Sequence, residues 1–380
     1  MGWGATLTFL PFGPQWRLHR RLLQTNLSPS RVRQWQKLQT QESRRAAMSI
    51  LVDESTWRPA LKRLSVAVVL MVSYGIQVDS DDDEYLKIAN DAIHVTGNGG
   101  LPAGSIVDIF PFARHLPNWL VRDWPLKFAR EWGWAIRRLH DVPFAAVQAE
   151  VDIGIIRDSF AHDLLAESRS NEKHGLNLSF TLDDIKGASG AIFIAGADTT
   201  WATLVVFMLC MVLYPEVQEK AHAQLDSVLG TDRLPDFADR PLLPYIDLIL
   251  QEMGTSRAVR VSELLNGTLG RDNNNPVISS TVFANAHAMS RDERIYKDPE
   301  SFNPDRYDPS SHGAPGEPRP VGHFGFGRRS CVGQFLADNT CWIAIATILS
   351  AFKIDKRCDE HGVTVEPTIK FTNGGTWLRS

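Results

Sequence analysis

The sequence predicts a mainly α-helical protein, and three observations predict it. Apolar residues recur at three- and four-residue spacing through most of the chain, the pattern of helices that bury one face. Strand signals are confined to residues 277–284 and 362–365. One run, AIFIAGADTTWATLVVFMLCMVLY at 191–214, stays apolar for the length of a whole helix. There is no internal repeat.

The elements follow in order. Residues 15–23 form a basic amphipathic helix after the Pro-Phe-Gly-Pro punctuation. Residues 30–52 continue it, with apolar positions spaced among Arg, Gln and Lys. Residues 61–74 are nearly all apolar and predict a buried helix. Helices at 81–94 and 124–152 flank residues 97–117, where Pro and Gly break the period. The longest helix covers 183–214, with Asp183 and Asp184 near its N-terminus, where acidic groups favour the helix dipole. Pro215 opens the next turn, residues 216–229 follow at helical period, and Gly230 ends them. A helix at 243–253, a Pro/Gly/Ser-rich loop at 308–320 and a buried helix at 334–352 complete the chain.

At 380 residues the chain is ample for a sizeable core. Forty basic against 44 acidic residues leave a net charge of -4, which gives no electrostatic footprint for nucleic acid. The four cysteines contain no C-x-x-C pair, which argues against a disulfide framework and a zinc site. The N-terminus lacks the basic, apolar and small-residue succession of a signal peptide. Residues 191–214 reach membrane-spanning length, but Asp198, Thr199 and Thr200 lie inside the run, and an ionisable group in lipid is expensive. The expectation is a helix buried through a soluble protein.

The most informative segment is HFGFGRRSCVG at 323–333. Gly325, Gly327 and Gly333 permit positive φ and close approach to a flat ligand. Cys331 stands just ahead of an apolar helix, where backbone N–H groups and the dipole steady a thiolate. Arg328 and Arg329 suit the carboxylates of a ligand. Other readings remain open at this point. A cysteine is usually a small buried hydrophobe. The Gly-x-Gly resembles a dinucleotide loop, although Ser330 stands where the third glycine belongs and no βαβ pattern surrounds it. His323 is available to a nucleophilic cysteine, but no hydrolase pattern frames it.

The spacing Phe324-x-x-Gly327-x-Arg329-x-Cys331-x-Gly333 resembles the haem-binding signature of the cytochrome P-450 superfamily, and the resemblance extends over nearly the whole chain. It is nearest to fungal members similar to O-methylsterigmatocystin oxidoreductase. It implies the cytochrome P-450 fold, a helical bundle around haem with a minor β-sheet, as one catalytic domain over 1–380. It implies heme b (iron protoporphyrin IX) with Cys331 as the axial thiolate, the iron's protein ligand. Such a thiolate pushes electron density onto the metal and favours O–O cleavage. Arg329 would pair with a haem propionate, and Phe324 and Gly333 belong to the same cofactor-binding motif.

Ala195-Gly196-Ala197-Asp198-Thr199-Thr200 looks like the family's oxygen-activation motif, which makes Asp198 and Thr199 the catalytic proton-handling pair. Read on its own, the same hexapeptide is also a plausible helix kink. Trp16 and Arg20 lie four apart on one helix face and are similar to the family's Trp-x-x-x-Arg pair at the propionates. Arg17, Arg20, Arg21, Arg31 and Arg33 make the early region basic, on the side where the family docks its acidic reductase. Phe302-Asn303-Pro304-Asp305-Arg306 fits the segment before the haem loop. Together these imply a monooxygenase that inserts one atom of O2 into a small apolar organic substrate. Electrons would come from NADPH through NADPH-cytochrome P-450 reductase, in the setting of secondary metabolism.

The sequence also departs from the family. Glu252 should be followed by an arginine at position 255, which is Thr255. Arg257 points about 140° away on a helix. Residues 254–280 lack the expected strand and substrate-loop pattern, and agreement resumes at Thr281. The expectation is a Glu252 short of part of its charge compensation, with Arg306 supplying some of it, and weak haem retention. Val332 and Gln334 replace a frequent proline and arginine. The chain also reads as truncated at its N-terminus, without the membrane anchor, first helices and most of the small β-sheet. The resemblance places the protein at the endoplasmic reticulum membrane, and the missing anchor points to a soluble chain. An alternative function is a haem-binding but catalytically inactive fragment or paralogue.

Overall fold

A computed structural model of the chain describes residues 2–99, 105–120, 122–175, 179–255, 267–268, 282–283, 285–308, 316–319, 322–367, 370–371 and 378–379. In chain order the helices are α1 (Pro14–Asn26), α2 (Pro29–Val32), α3 (Gln36–Val52), α4 (Trp57–Tyr74), α5 (Glu84–Asn98), α6 (Ile106–Ile109) and α7 (Trp124–Asp152). There follow α8 (Phe160–Lys173), α9 (Leu182–Leu213), α10 (Pro215–Leu229), α11 (Pro244–Thr255), α12 (Ala286–Met289) and α13 (Gln334–Ala351). The protein is mainly helical, as the periodicity predicts. Among the described residues the strands are two short antiparallel pairs: β1 (Gly267–Thr268) with β2 (Val282–Phe283), and β3 (Lys370–Phe371) with β4 (Leu378–Arg379).

The chain divides into two compact units. One takes in residues 1–26 and 66–198, the other 27–65 and 199–371, so the division falls inside α4 and α9.

In the first unit α5 and α8 pack on α7. Side-chain caps start the helices: Asp83 accepts from the Tyr85 N–H, Asp123 from Leu126 and Ser159 from His162. α9 opens with a reciprocal box. The Thr181 N–H and hydroxyl donate to Asp184 Oδ2 at 2.9 and 2.8 Å, and the Asp184 N–H donates back to Thr181 Oγ1. Its bare positions seat neighbouring elements: a Cβ on Gly187 would overlap the Ala5 carbonyl, on Gly190 the His140 ring, and on Gly196 the Val69 side chain of α4. α9 is long and apolar enough to cross a membrane by length and composition. Its residues Ile185, Ala188, Phe193 and Ala197 are buried among these neighbours, so it is a core helix here.

In the second unit α13 is the central element, contacted by α3, α10 and α11. Gln39 of α3 donates to the Leu336 carbonyl and to Thr340 Oγ1 at 3.0 and 2.8 Å. Arg240 binds Asp247 of α11 and Asp338 of α13 at 2.6 and 2.7 Å and lies over the Trp342 ring. Gln218 of α10 pins both the N–H and the carbonyl of Ile354 after α13 ends.

Several elements differ from expectation. α8 was not predicted. The 97–117 break contains α6, started by a Ser105–Asp108 capping box, and a 3-10 helix at Pro111–His115. The block expected to lack a strand supplies β1, in register with β2. Of the strand expected at 277–284, Val282–Phe283 forms, and 277–281 and 284 lie outside the described residues. Residues 362–365 make only an isolated bridge, Thr364 to Cys358, because each side offers a single paired residue. Most of the predicted 308–320 loop lies outside the described residues.

Candidate active site

The glycine-rich loop reaches Cys331 through a 3-10 turn at Gly327–Arg329 and enters α13 at Gln334. Gly325 and Gly327 take φ of 76° and 56°, a region that a side chain disfavours. The Cys331 N–H donates to the Phe324 carbonyl at 2.7 Å, which closes the loop on itself. Cys331 and Cys358 are exposed, whereas Cys210 of α9 and Cys341 of α13 are buried; Cys331 alone of the four stands in the glycine-rich loop. Burial pushes the Cys341 thiol up to about 12 and raises that of Cys210 further, which keeps both protonated. Arg329 is half-buried two residues before Cys331, and burial lowers its guanidinium pKa below the ordinary value.

Asp198 and Thr199 are consecutive, half-buried residues of α9, and Thr200 is buried. Asp198 closes the first unit and Thr199 opens the second. The Thr199 carbonyl accepts the Thr203 hydroxyl at 2.9 Å, and Ser189 bonds the Ile185 carbonyl in the same way, so hydroxyls load the ladder on both sides of the motif.

Trp16 and Arg20 lie on α1. Trp16 is buried, with its ring 5.2 Å from that of Phe12, and Arg20 is half-buried. Sequence reasoning passed over His19 between them. It is fully buried, and its Nε2 meets Asp184 Oδ1 at 2.9 Å. A lone histidine on a basic helix carries no periodic signal that would single it out.

Arg306 supplies compensation at Glu252, as expected, and two further donors join it. Its carboxylate, buried at the end of α11, accepts Arg306 Nε at 3.2 Å, the Asn303 N–H at 3.0 Å and the Tyr307 hydroxyl at 2.7 Å. Arg306 is fixed in turn by Glu317 and by the carbonyls of Lys297, Asp298 and Ser301. Thr255 closes α11, and Arg257 lies outside the described residues. The segment at Phe302–Arg306 therefore performs the pairing that the sequence assigned to it only in part.

The donor set fits a haem. The exposed Cys331 sulfur, on a glycine turn at the start of α13, suits an iron that takes one soft protein ligand. Among the described residues, nothing lies within 4 Å of a Cβ built on Gly327, and at Gly333 the one neighbour that near is the Cys331 sulfur, at 3.9 Å. A desolvated arginine two residues away suits an anionic group. Phe324, Arg329, Cys331 and Gly333 are brought together within the second unit, and Trp16 and Arg20 within the first.

Comparison with known proteins agrees. The family model described as Cytochrome P450 matches residues 2–372, across both units. A cytochrome P450 monooxygenase of Armillaria gallica is 31% identical over 98% of this chain and 73% of its own length. Cytochrome P450 monooxygenase 136 of Postia placenta is 33% identical, over 96% of this chain and 69% of the relative. Cytochrome P450 monooxygenase ple1 of Rhodocybe pseudopiperita is 32% identical, over 97% and 71%. These matches support the superfamily and fungal relatives; they do not support a narrower likeness to O-methylsterigmatocystin oxidoreductase.

Proposed function

This chain belongs to the cytochrome P450 family of haem-thiolate monooxygenases, and on that premise we propose that Cys331 would hold its haem iron and that it oxidises a small apolar organic substrate with electrons from a separate NADPH-dependent reductase. When bound, the haem supplies the oxygen-activating chemistry. The observation that carries the assignment is the exposed Cys331 sulfur on a glycine turn that feeds straight into buried α13.

Each remaining role belongs to a residue of this chain. The loop bond from the Cys331 N–H to the Phe324 carbonyl holds the backbone that carries the sulfur. Arg329, Trp16 and Arg20 would bind and orient the haem propionates. Thr199 would hold a proton at its hydroxyl, and Asp198, half-buried beside it, would relay protons inward from solvent. Buried Glu252 and Arg306 keep α11 and the Pro304–Tyr307 turn together in the unit that carries the ligand. The basic residues Arg17, Arg21, Arg31 and Arg33 suit an acidic redox partner. Secondary metabolism is the setting we propose for the substrate.

The test is the carbon-monoxide difference spectrum of the reduced, haem-loaded protein. The expected result is a thiolate-type band in the parent that disappears in Cys331→Ala. A parent without that band overturns the assignment. A thiolate band together with reductase-driven NADPH consumption and no oxidised product, across apolar substrates, favours the inactive alternative.

A further inference from the structure

We propose that His19 is a positioning residue: its bond to Asp184 fixes the rotation of α1 on the first turns of α9 and so aims Trp16 and Arg20 at the cofactor. This rests on the reading above that these two side chains serve haem.

All the groups lie in one unit. Asp184 is immobilised by its own helix. Its Oδ2 takes the Thr181 N–H and hydroxyl, which leaves Oδ1 for His19 at 2.9 Å, with Gln15 Nε2 more distant at 3.5 Å. A carboxylate only accepts, so His19 Nε2 carries the hydrogen and donates. Burial raises the Asp184 pKa, but the Thr181 and His19 bonds outweigh it, and the carboxyl stays below its usual value, ready to accept. His19 Nδ1 has no partner among the described residues, so Asp184 is the polar anchor of a fully buried ring. One turn along α9, Gly187 leaves space for that ring: a Cβ there would stand 3.1 Å from His19 Cε1.

Helix geometry connects this anchor to the site. On α1, His19 projects about 60° from Trp16 and about 100° from Arg20. A rotation of about 20° carries a side-chain tip about 6 Å from the axis through about 2 Å. That displacement breaks a hydrogen bond of about 2.9 Å. His19 lies between Trp16 and Arg20 on α1, so a rotation of α1 that turned either side chain away would stretch the 2.9 Å bond to Asp184.

The experiment measures the rate at which the haem-loaded full chain passes haem to apomyoglobin, alongside its thermal midpoint. Outer-shell partners of this kind typically change cofactor affinity about 10–100-fold. His19→Ala should therefore release haem at least about ten times faster. His19→Leu, which fills the space without a donor, should do the same and keeps the test open if the alanine variant fails to fold. His19→Gln, whose Nε2 can take the imidazole nitrogen's place, should restore slow release. Thr6→Val removes the buried Thr6–His140 bond in the same unit without touching α1. It should lower the midpoint and leave haem release unchanged. Parent-like release from His19→Leu, or equally fast release from Thr6→Val, overturns the positioning role. A parent chain that takes up no haem overturns the functional reading itself, and the inference with it.

Discussion

Gly190 and His140 show how much one missing methyl can decide. The His140 ring lies against the face of α9 where a Cβ at 190 would sit, while its Nε2 meets Thr6 Oγ1 at 3.1 Å. Alanine normally favours a helix interior over glycine by about 1 kcal/mol. Here overpacking of about 1–3 kcal/mol opposes it, because the ring is buried and held by its bond to Thr6. Gly190→Ala should therefore lower stability in urea unfolding, whereas Gly4→Ala, with nothing within 4 Å of its Cβ, should change it by less than about 0.5 kcal/mol. An unchanged or raised midpoint in Gly190→Ala would show that the ring is not seated as described. At this scale the sequence is uneven as a guide. Cys331 is legible because its surroundings are its own chain neighbours: two glycines, an arginine and a helix start within a few residues. His19 and His140 are not, because their partners, Asp184 and Thr6, lie more than a hundred positions away.

At the junction of α11 with the Pro304–Tyr307 turn, two opposite charges are buried together. Glu252 and Arg306 have nearly inaccessible side chains, and their bond at 3.2 Å is reinforced by the Tyr307 hydroxyl. Removing the cation leaves a buried carboxylate short of compensation, so Arg306→Met should cost about 3–5 kcal/mol. Tyr307→Phe removes one hydrogen bond to a charged acceptor and should cost about 1.5–3 kcal/mol. Both are read from chemical unfolding of the haem-free chain, and a Tyr307→Phe loss below about 0.5 kcal/mol would mean that Arg306 and Asn303 suffice. Here the sequence located Glu252 and Arg306 by their motifs but could not show that Tyr307 and Asn303 join them, since a turn's side-chain directions depend on its fold. α8 escaped for a related reason. Its sequence, FAHDLLAESRSNEK, is polar over much of its length. What starts it is Ser159 capping His162, whose ring then reaches back to Glu150 of α7 at 3.1 Å, a tertiary contact with no local signature.

For the molecule as a whole, the long helices were readable because they depend on period alone: α7 forms over the predicted residues, α9 differs from expectation by one residue at each end, and α10 and α13 by one residue at one end. The polar groups sealed between those helices were not, and they set how the fold responds to acid. Burial drives the His140 pKa down from 6.5 to about 4; Asp141 opposes the shift and Lys186 adds to it. In the unfolded chain this imidazole takes up a proton below its ordinary value, while the folded protein refuses it until near pH 4. Between those limits the unfolded state binds more protons, so stability rises with pH and is lost as pH falls from 6.5 towards 4. The loss from this one group reaches about 3 kcal/mol. Asp184 and Glu150 have lowered values, so their contribution is present above the unfolded carboxylate range and fades only at lower pH. The interval from about pH 5 to about pH 6.5 is thus where His140 acts apart from those carboxylates. His140→Gln, which keeps an amide within reach of Thr6 and cannot titrate, should flatten the fall in thermal midpoint across that interval and leave the steeper acid limb in place. An unchanged slope in the glutamine variant would place the sensitivity on another group and show that this ring takes up its proton without leaving the fold.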